Sequence, residues 1–246
     1  MSFCLILLAA GNSRRFGSKI PKPFVKVGKK SLIEYSLSKF NKIKKIKKKF
    51  VVINNKHAKF LKNTKSTNFS KIIGGKTRQE STYKALRYIK KNRIKCTHVL
   101  IHDAARPNFS INLLKRLKDK LKKNKAVIPY VKTENSSKYK KGNKILNLDR
   151  EKLLFTQTPQ CFDFKTLYNL SKHNKKIVTD EASLFLNKNK KIKFIKGEEN
   201  NFKITKKSDL NKLNIKSFFG IGFDIHRLIK NKKLYLGGIK YLFIQD

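Results

Sequence analysis

The sequence predicts an α/β fold in which a mostly parallel sheet lies between two layers of helices. Short apolar runs alternate along the chain with amphipathic segments; the runs are FCLILLAA, FVVIN, KIIGG, HVLIHDA and AVIPY. Continuous apolar strands separated by helices are typical of a parallel sheet that is covered on both faces. A chain of 246 residues can hold one such domain and a short additional segment.

The helix starts are also legible in the sequence. Ser31 with Glu34, and Thr77 with Glu80, have the spacing of a capping box ahead of the helical segments LIEYSL and RQESTYKALRYI. Later segments predict a helix from about Phe164, a helix opened by TDEAS, a strand at IKFIKG and a closing helix after Ser208. These elements complete a Rossmann-like, three-layer arrangement.

The composition predicts one main domain with an arm and a separate tail. Residues 1–214 form the domain, and within it residues 130–156 are polar and rich in turns, with possible short strands around 144–148. This pattern predicts an arm that projects from the domain. Residues 215–246 have their own glycine pattern and are too few to form a core of their own.

The charge of the chain allows a nucleic acid-binding function, because the formal net charge is +46. The excess is almost entirely lysine spread through every segment, which favours solvated surface charge over a dedicated patch. Arginine is scarce, and forked guanidinium groups suit phosphate. Most arginines fall in the motifs considered below: Arg14, Arg15, Arg78, Arg106, Arg150 and Arg227.

The sequence predicts a cytoplasmic protein without a membrane partner. The apolar run Phe3 to Ala10 is too short to span a bilayer, and no basic residues precede it as they would in a secretory signal. The cysteines Cys4, Cys96 and Cys161 lie far apart, without the spacing of a disulfide framework or of a zinc site.

The segment LILLAAGNSRRFGSKIPKPF predicts a phosphate-binding loop. A buried strand that ends in Ala9, Ala10 and Gly11 brings main-chain amides to the carboxyl edge of the sheet, where α/β proteins bind ligands. Cationic residues follow, and prolines on both sides restrict the lysine: Arg14, Arg15 and Lys22. The segment is neither a dinucleotide fingerprint nor a P-loop. The alternative is an ordinary strand-to-helix turn with solvated cations.

The chain resembles the 2-C-methyl-D-erythritol 4-phosphate cytidylyltransferases, a family with a nucleotidyltransferase fold and a projecting β-arm. The resemblance covers residues 3 to about 213 and rests on collinear motifs: LAAGNSRRFGSKIPKPF, GGKTRQES, IHDAARP, LDR, TPQ, TDEAS and GEENNFKIT. It implies that the phosphate of 2-C-methyl-D-erythritol 4-phosphate attacks the α-phosphorus of CTP and releases diphosphate. It also implies a homodimer.

The resemblance assigns roles to individual positions. The residues that it assigns to the triphosphate and the transition state are Arg15, Lys22 and Lys203. Those for the rest of CTP are Ala9, Ala10, Gly11, Gly75, Lys76 and Ser81, with Arg78 supporting their loop. Those for the acceptor are Asp103, Arg106, Ser136, Thr179 and Arg150, the last reaching the active site of a neighbouring subunit.

The resemblance also implies a divalent cation, Mg²⁺, bridging the phosphates of CTP near Asp103. The chain departs from the family pattern at two places. TENSSKY replaces the usual Asp-Thr of the arm, so that Asn135 and Ser136 stand in, and Lys76 occupies a position where an acidic residue is common.

The tail resembles the beginning of a second family, the 2-C-methyl-D-erythritol 2,4-cyclodiphosphate synthases. The segments GIGFDIHRL and LYLGG carry this resemblance, which implies zinc-ligand positions at Asp224 and His226. Alternate residues of a strand share one face, so both side chains could bind one metal. The chain ends before the rest of that fold, so we expect an incomplete synthase-like domain that would bind zinc only if it were complete.

Two alternatives to the leading hypothesis stay open. One is a nucleotidyltransferase for another phosphorylated alcohol, such as ribitol 5-phosphate. The other is a basic protein that binds nucleic acid or an anionic surface, in which the motifs serve as scaffold.

Overall fold

The computed structural model describes residues 1–62, 64, 68–174, 176–213, 223, 225, 233–236 and 239–241. By its internal contacts the chain separates into two units, Met1–Leu213 and Asn214–Asp246. The first unit contains the sheet and the helices, and the described part of the second unit contains a two-stranded hairpin.

The elements are numbered in chain order. The strands are β1 (Phe3–Ala9), β2 (Lys26–Val27), β3 (Lys30–Ser31), β4 (Ile46–Ile53), β5 (Ser70–Ile73), β6 (His98–Asp103), β7 (Ala126–Val131), β8 (Ser137–Lys141), β9 (Lys144–Leu148), β10 (Phe155–Thr156), β11 (Gln160–Asp163), β12 (Lys193–Lys196), β13 (Leu234–Leu236) and β14 (Ile239–Tyr241). The helices are α1 (Leu32–Asn41), α2 (Ala58–Lys62), α3 (Arg78–Lys91), α4 (Ile111–Leu121), α5 (Phe164–Lys172) and α6 (Glu181–Leu186).

The central sheet is mixed and mostly parallel. Its strand order is β10-β7-β11-β6-β1-β4-β5, and β12 also pairs with β7. The pairs β1–β4, β1–β6, β4–β5 and β7–β12 are parallel, whereas β11 runs antiparallel to both β6 and β7. The carboxyl ends of β1, β4, β5 and β6 therefore meet at one edge of the sheet.

Strand β1 shows why the domain has three layers. Its side chains alternate between the two faces, with Phe3, Leu5 and Leu7 in one buried cluster and Cys4 and Ile6 in the other. The first cluster is completed by apolar residues of α1 and α4, the second by residues of α3, α5 and α6. Both faces of the sheet are therefore covered by helices, as a continuous apolar strand requires.

The structure confirms the five apolar strands as β1, β4, β5, β6 and β7, the strand at IKFIKG as β12, and the helices from Phe164 and within TDEAS as α5 and α6. The predicted closing helix is instead a short 3₁₀ segment, Lys207–Lys212. The sequence did not indicate β11, a strand of four residues that begins with a polar residue.

The two predicted capping boxes have different outcomes. At Ser31 the box forms, because the Glu34 carboxylate accepts from the Ser31 amide at 2.7 Å. At Thr77 the prediction was wrong in part: the Thr77 hydroxyl caps the helix, but the Glu80 carboxylate accepts from the amide of Lys76 at 2.8 Å instead. Gly75 leaves the space that this carboxylate occupies, since a Cβ there would lie 2.3 Å from Glu80 Cδ.

Residues 137–148 form the β8–β9 hairpin, with Tyr139 opposite Leu146 and Ser137 opposite Leu148. All five residues of β9 are exposed, and one face of the hairpin presents Tyr139, Leu146 and Leu148 with exposed fractions of 50%, 46% and 39%. Within the described part of the chain, no helix has both the length and the apolar character needed to cross a membrane.

We expect Leu86→Ala to lower the free energy of unfolding by about 2–5 kcal/mol, because Leu86 is fully buried where α3 packs on the sheet. The matched control is Arg87→Ala, an exposed neighbour on the same helix, which should change it by less than about 0.5 kcal/mol. Urea unfolding followed by circular dichroism measures both values. Equal losses in the two variants would contradict the assignment of this helix face to the core.

Candidate functional site

The main cavity of the described residues lies at the carboxyl edge of β1, β4, β5 and β6 and has a volume of about 740 Å³. The residues after these strands form its walls, as expected for ligand sites of parallel α/β sheets. Candidate residues from the sequence that line it are Ala9, Ala10, Gly11, Arg15, Lys22, Gly75, Lys76, Arg78, Ser81, Asp103 and Lys203.

The loop after β1 places Lys22 at the cavity. Ser13 adopts a left-handed conformation with φ 54°, and its hydroxyl accepts a hydrogen bond from the Lys22 amide at 3.1 Å. Pro21 precedes the 3₁₀ segment Lys22–Phe24, which fixes the direction of the chain as it leaves the loop. The hydrogen bond to Ser13 and the preceding Pro21 therefore both restrict the main chain at Lys22.

The cavity brings together cations that are far apart in the sequence. Lys22 Nζ donates to the carbonyl oxygen of Ile204 at 2.7 Å, and the next residue back, Lys203, also lines the cavity. Burial lowers the pKa of Lys22, and the nearby charges of Lys203 and Arg15 lower it further. The charges of Asp103 and Asp209 act on this pKa in the opposite sense, so that burial is its main determinant.

Asp103, the last residue of β6, is the anionic centre of this group. Its Oδ1 pairs with Arg78 Nε at 3.2 Å, and its Oδ2 pairs with Lys203 Nζ at 2.8 Å. Burial would raise the pKa of Asp103, but the charges of Arg78 and Lys203 outweigh burial and hold this pKa well below its usual range. Asp103 is therefore a carboxylate at physiological pH.

Arg78 joins the loop between β5 and α3 to the rest of the site. Besides Asp103 it contacts Glu181, with Nη1 2.6 Å from Oε2, and the other oxygen of Glu181 accepts from the Thr82 hydroxyl at 2.8 Å. Burial would lower the pKa of Arg78, but Glu181 and Asp103 outweigh burial and raise it. A permanently charged group thus fixes the first turn of α3.

The loop between β5 and α3 is held by side chains of that helix. Ser81 Oγ accepts from the Gly75 amide at 3.0 Å and donates to the carbonyl of Thr77 at 2.8 Å. Gly74 lies so close to its neighbours that a Cβ there would be 2.8 Å from both Ala10 Cβ and Ser81 Oγ. This close approach brings the loops after β1 and β5 together.

The turn after β6 is held by a chain of buried hydrogen bonds. The Asp103 amide donates to Thr158 Oγ1 at 3.0 Å, and the same hydroxyl lies 3.0 Å from His102 Nδ1. His102 Nε2 lies 3.0 Å from the carbonyl oxygen of Arg106. Burial lowers the pKa of His102 to about 3, so the imidazole is neutral.

Several candidate residues do not line the cavity. Arg106 is directed to the carbonyl of Asn201, with Nη1 at 2.8 Å, and Arg150 donates to the carbonyl of Glu134 in the arm. Ser136 and Thr179 are also outside the cavity lining, and both are exposed. The zinc-ligand positions Asp224 and His226 lie outside the described residues.

The cavity also includes polar residues for which the sequence gave no binding role. Glu80 had a signal, but as part of a helix cap, and Lys84 completes an ion pair with it at 3.3 Å. The others are small or amide side chains to which the sequence analysis assigned no binding role: Asn12, Ser13, Asn54, Asn55, Thr77 and Thr205.

Charge and main-chain geometry together define what the cavity can bind. Among the described residues, two carboxylates, Asp103 and Glu80, line it against six cations: Arg15, Lys22, Lys76, Arg78, Lys84 and Lys203. Fixed cations beside exposed main-chain groups at a sheet edge suit a polyanionic ligand such as a nucleoside triphosphate.

Comparison with known proteins agrees with this chemistry. The family described as IspD, 2-C-methyl-D-erythritol 4-phosphate cytidylyltransferase, matches residues 3–215. The bifunctional enzyme IspD/IspF of Pelagibacter ubique is 49% identical over 240 residues, which are 98% of this chain and 64% of that protein. The 2-C-methyl-D-erythritol 4-phosphate cytidylyltransferase of Petrotoga mobilis is 35% identical over 83% of this chain and 93% of its own length.

Solved structures show the same fold. The bifunctional IspDF of Campylobacter jejuni matches with a TM-score of 0.76 and 34% identity, over 98% of this chain and 63% of that one. The 4-diphosphocytidyl-2C-methyl-D-erythritol synthase of Anaerococcus prevotii matches with a TM-score of 0.74 and 28% identity, over 85% of this chain and 93% of that one. The chain therefore spans less than two thirds of these bifunctional relatives. Through its residues 3–215, it belongs to the 2-C-methyl-D-erythritol 4-phosphate cytidylyltransferase family.

Proposed function

We propose that this chain transfers the cytidylyl group of CTP to 2-C-methyl-D-erythritol 4-phosphate. A phosphate oxygen of the acceptor forms a bond to the α-phosphorus of CTP, and the bond from that phosphorus to the bridging oxygen of the β-phosphate breaks. Diphosphate leaves and 4-CDP-2-C-methyl-D-erythritol remains. No group of the protein needs to bond to phosphorus, so the residues act by positioning and by stabilising charge.

One observation carries the proposal: Arg15, Lys22 and Lys203 line the same cavity, beside the main chain of Ala9 to Gly11. Two anionic substrates repel each other, and the crowded transition state concentrates negative charge around the α-phosphorus. Cations that are already in place stabilise that charge without reorganising when the reaction occurs. In this role the ammonium of Lys22 would exchange the Ile204 carbonyl for a phosphate oxygen.

We assign the cytosine and ribose to the loop formed by Gly75, Lys76 and Ser81, with Arg78 as its support. Support comes from the hydrogen bonds that hold Gly75 to Ser81 and from the ion pair of Arg78 with Asp103. Main-chain donors and acceptors in fixed positions can select a base by its hydrogen-bonding edge.

We assign the acceptor to Asp103, Arg106, Thr179 and Ser136, with Arg150 of a second subunit. Asp103 is the member of this set that lines the cavity, and its carboxylate can accept hydrogen bonds from the acceptor hydroxyls. Arg106 lies in the same turn, three residues further along.

The reaction as proposed uses Mg²⁺, and Asp103 is the residue that we assign to it. The fit is good in one respect, since Asp103 stays ionised in the cavity, and carboxylate oxygen is a preferred ligand of this ion. Within the described residues no three acidic, histidine or cysteine side chains form a metal cage, so phosphate oxygens and water would complete the coordination. Bound there, the ion would neutralise phosphate charge.

We also propose that two copies of the chain pair through the arm. An isolated two-stranded hairpin is marginally stable in water, and the β8–β9 hairpin exposes Tyr139, Leu146 and Leu148 on one face. A second copy would cover this face and bring Arg150 to the neighbouring cavity. This explains why Arg150 lies outside the cavity of its own chain.

The substrate assignment is tested by diphosphate release from CTP in the presence of Mg²⁺. We expect release with 2-C-methyl-D-erythritol 4-phosphate and none above background with ribitol 5-phosphate, at equal concentrations. Release with ribitol 5-phosphate instead would favour the alternative acceptor. Tight binding to duplex DNA that weakens steeply with salt, without turnover of either alcohol, would favour the nucleic acid-binding alternative.

The role of Lys22 is tested by Lys22→Ala. We expect kcat to fall by at least about 100-fold, because one preorganised cation that stabilises the transition state is lost. Lys19→Ala is the matched control, since Lys19 is an exposed lysine of the same loop and does not line the cavity. The control should keep the wild-type kcat, and an unchanged kcat in Lys22→Ala would reject the assigned role.

The proposed dimer is tested by Leu146→Asp, which places a charge on the apolar face of the hairpin. We expect a monomer by sedimentation velocity at micromolar concentration, with loss of acceptor turnover because Arg150 is no longer delivered in trans. Asn147→Asp adds the same charge on the opposite face of β9 and should stay dimeric. A dimer that survives Leu146→Asp, or a monomeric wild type, would refute the proposal.

A further inference from the structure

The fully buried imidazole of His102 lies directly behind the proposed acceptor site. It is enclosed on one side by the rings of Phe40 and Phe109, whose centroids lie 5.3 and 4.6 Å from its own in edge-to-face geometry. Its two nitrogens face Thr158 and the carbonyl of Arg106, each at 3.0 Å. A buried polar ring with both nitrogens partnered defines one orientation for itself and for its partners.

The partners of the ring determine where its proton lies. A main-chain carbonyl can only accept, so His102 Nε2 must carry the proton that is directed at Arg106. The Thr158 hydroxyl is then placed to donate its proton to Nδ1. The same hydroxyl oxygen accepts from the amide of Asp103 at 3.0 Å. The hydrogen bonds from the Asp103 amide through Thr158 and His102 to the Arg106 carbonyl therefore all run in the same donor-to-acceptor direction.

These hydrogen bonds enclose the turn from Asp103 to Arg106, which carries two of the residues assigned to the substrate that accepts the cytidylyl group. The Arg106 amide donates back to the Asp103 carbonyl at 3.0 Å, which completes the turn. Thr158 thus binds the amide of Asp103 at the beginning of the turn, and His102 binds the carbonyl of Arg106 at its end. The orientation of the Asp103 carboxylate towards Arg78 and Lys203 depends on where this turn lies.

We propose that His102 is a positioning residue: its imidazole, with Nε2 directed at the Arg106 carbonyl and Nδ1 at the Thr158 hydroxyl, links these two groups and so aligns Asp103 and Arg106 for the acceptor. This rests on the proposed function, because it takes the acceptor to be bound by that turn. Displacements of about 1 Å at a reacting centre can cost on the order of 100-fold in rate, so a tether of this kind affects catalysis without touching substrate.

The first test is kinetic and uses the full chain. His102→Phe keeps an aromatic ring against Phe40 and Phe109 but removes both hydrogen bonds. We expect kcat/KM for 2-C-methyl-D-erythritol 4-phosphate to fall on the order of 10- to 100-fold, while the Kd of CTP by calorimetry stays near the wild-type value. His102→Gln, whose amide can donate to the Arg106 carbonyl, should recover part of the loss.

The matched control separates positioning from general loosening. Phe109→Leu disturbs the same aromatic cluster but leaves both nitrogens of His102 their partners, so it should lower the melting temperature and keep the acceptor kinetics. Thr158→Val removes the other link of the chain, and added to His102→Phe it should cause little further loss. An equal kinetic loss in Phe109→Leu, or wild-type acceptor kinetics in His102→Phe, would overturn the inference.

The second test does not depend on turnover. Ring nitrogen NMR of histidine-labelled protein at neutral pH should show His102 protonated at Nε2 and bare at Nδ1, with assignment by comparison with His102→Gln. A proton on Nδ1 would overturn the inference whether or not the chain is active. If the wild type does not use the acceptor, the proposed function fails, and the NMR result still decides the state of His102. If His102→Phe does not fold, Thr158→Val decides the kinetic question by the same criteria.

Discussion

The arrangement of the site depends on one buried carboxylate that pairs with two cations. Asp103 pairs with Arg78 on one oxygen and with Lys203 on the other. Without it, Arg78 and Lys203 would repel each other and Lys22 in a region of low dielectric. Removing one member of such a group would leave an uncompensated charge, so each member stabilises the position of the others.

The different partners of Lys22 and Lys203 have a consequence for ligand binding. Lys22 Nζ donates to a neutral carbonyl oxygen, whereas the charge of Lys203 is paired with Asp103. A triphosphate that enters the cavity therefore meets two cations. Lys22 is bound only to a neutral carbonyl, and Lys203 is positioned by the carboxylate of Asp103. Since these groups are preorganised, binding energy is not spent on assembling them, and more of it is available for the transition state.

Much of the fold could be predicted from the sequence because its strongest signals are local. The runs that become β1, β4 and β6 are long and apolar, and the capping residue Ser31 lies beside the helix that it starts. Strand β11 escaped prediction because it is short and is defined by pairing with β6 and β7, which are distant in sequence. The Thr77 cap deviated because the missing side chain of Gly75 gives Glu80 another partner.

For the site, motifs indicated which residues matter but not where their side chains point. The opening loop could be recognised because its cations follow a buried strand, and two of them, Arg15 and Lys22, line one cavity with Lys203. The direction of Arg106 towards Asn201 depends on a contact between residues 95 positions apart, which no local pattern encodes. Asn12, Asn54 and Lys84 became visible as cavity residues once the strand ends were brought together.

The central claim is that Arg15, Lys22 and Lys203 share one triphosphate. A crystal structure of the chain with CTP tests it most directly. The account predicts phosphate oxygens within about 2.7–3.2 Å of all three side chains, with Lys22 Nζ released from the Ile204 carbonyl. A triphosphate bound outside this cavity, with Lys22 still on Ile204 and Lys203 still on Asp103, would contradict it.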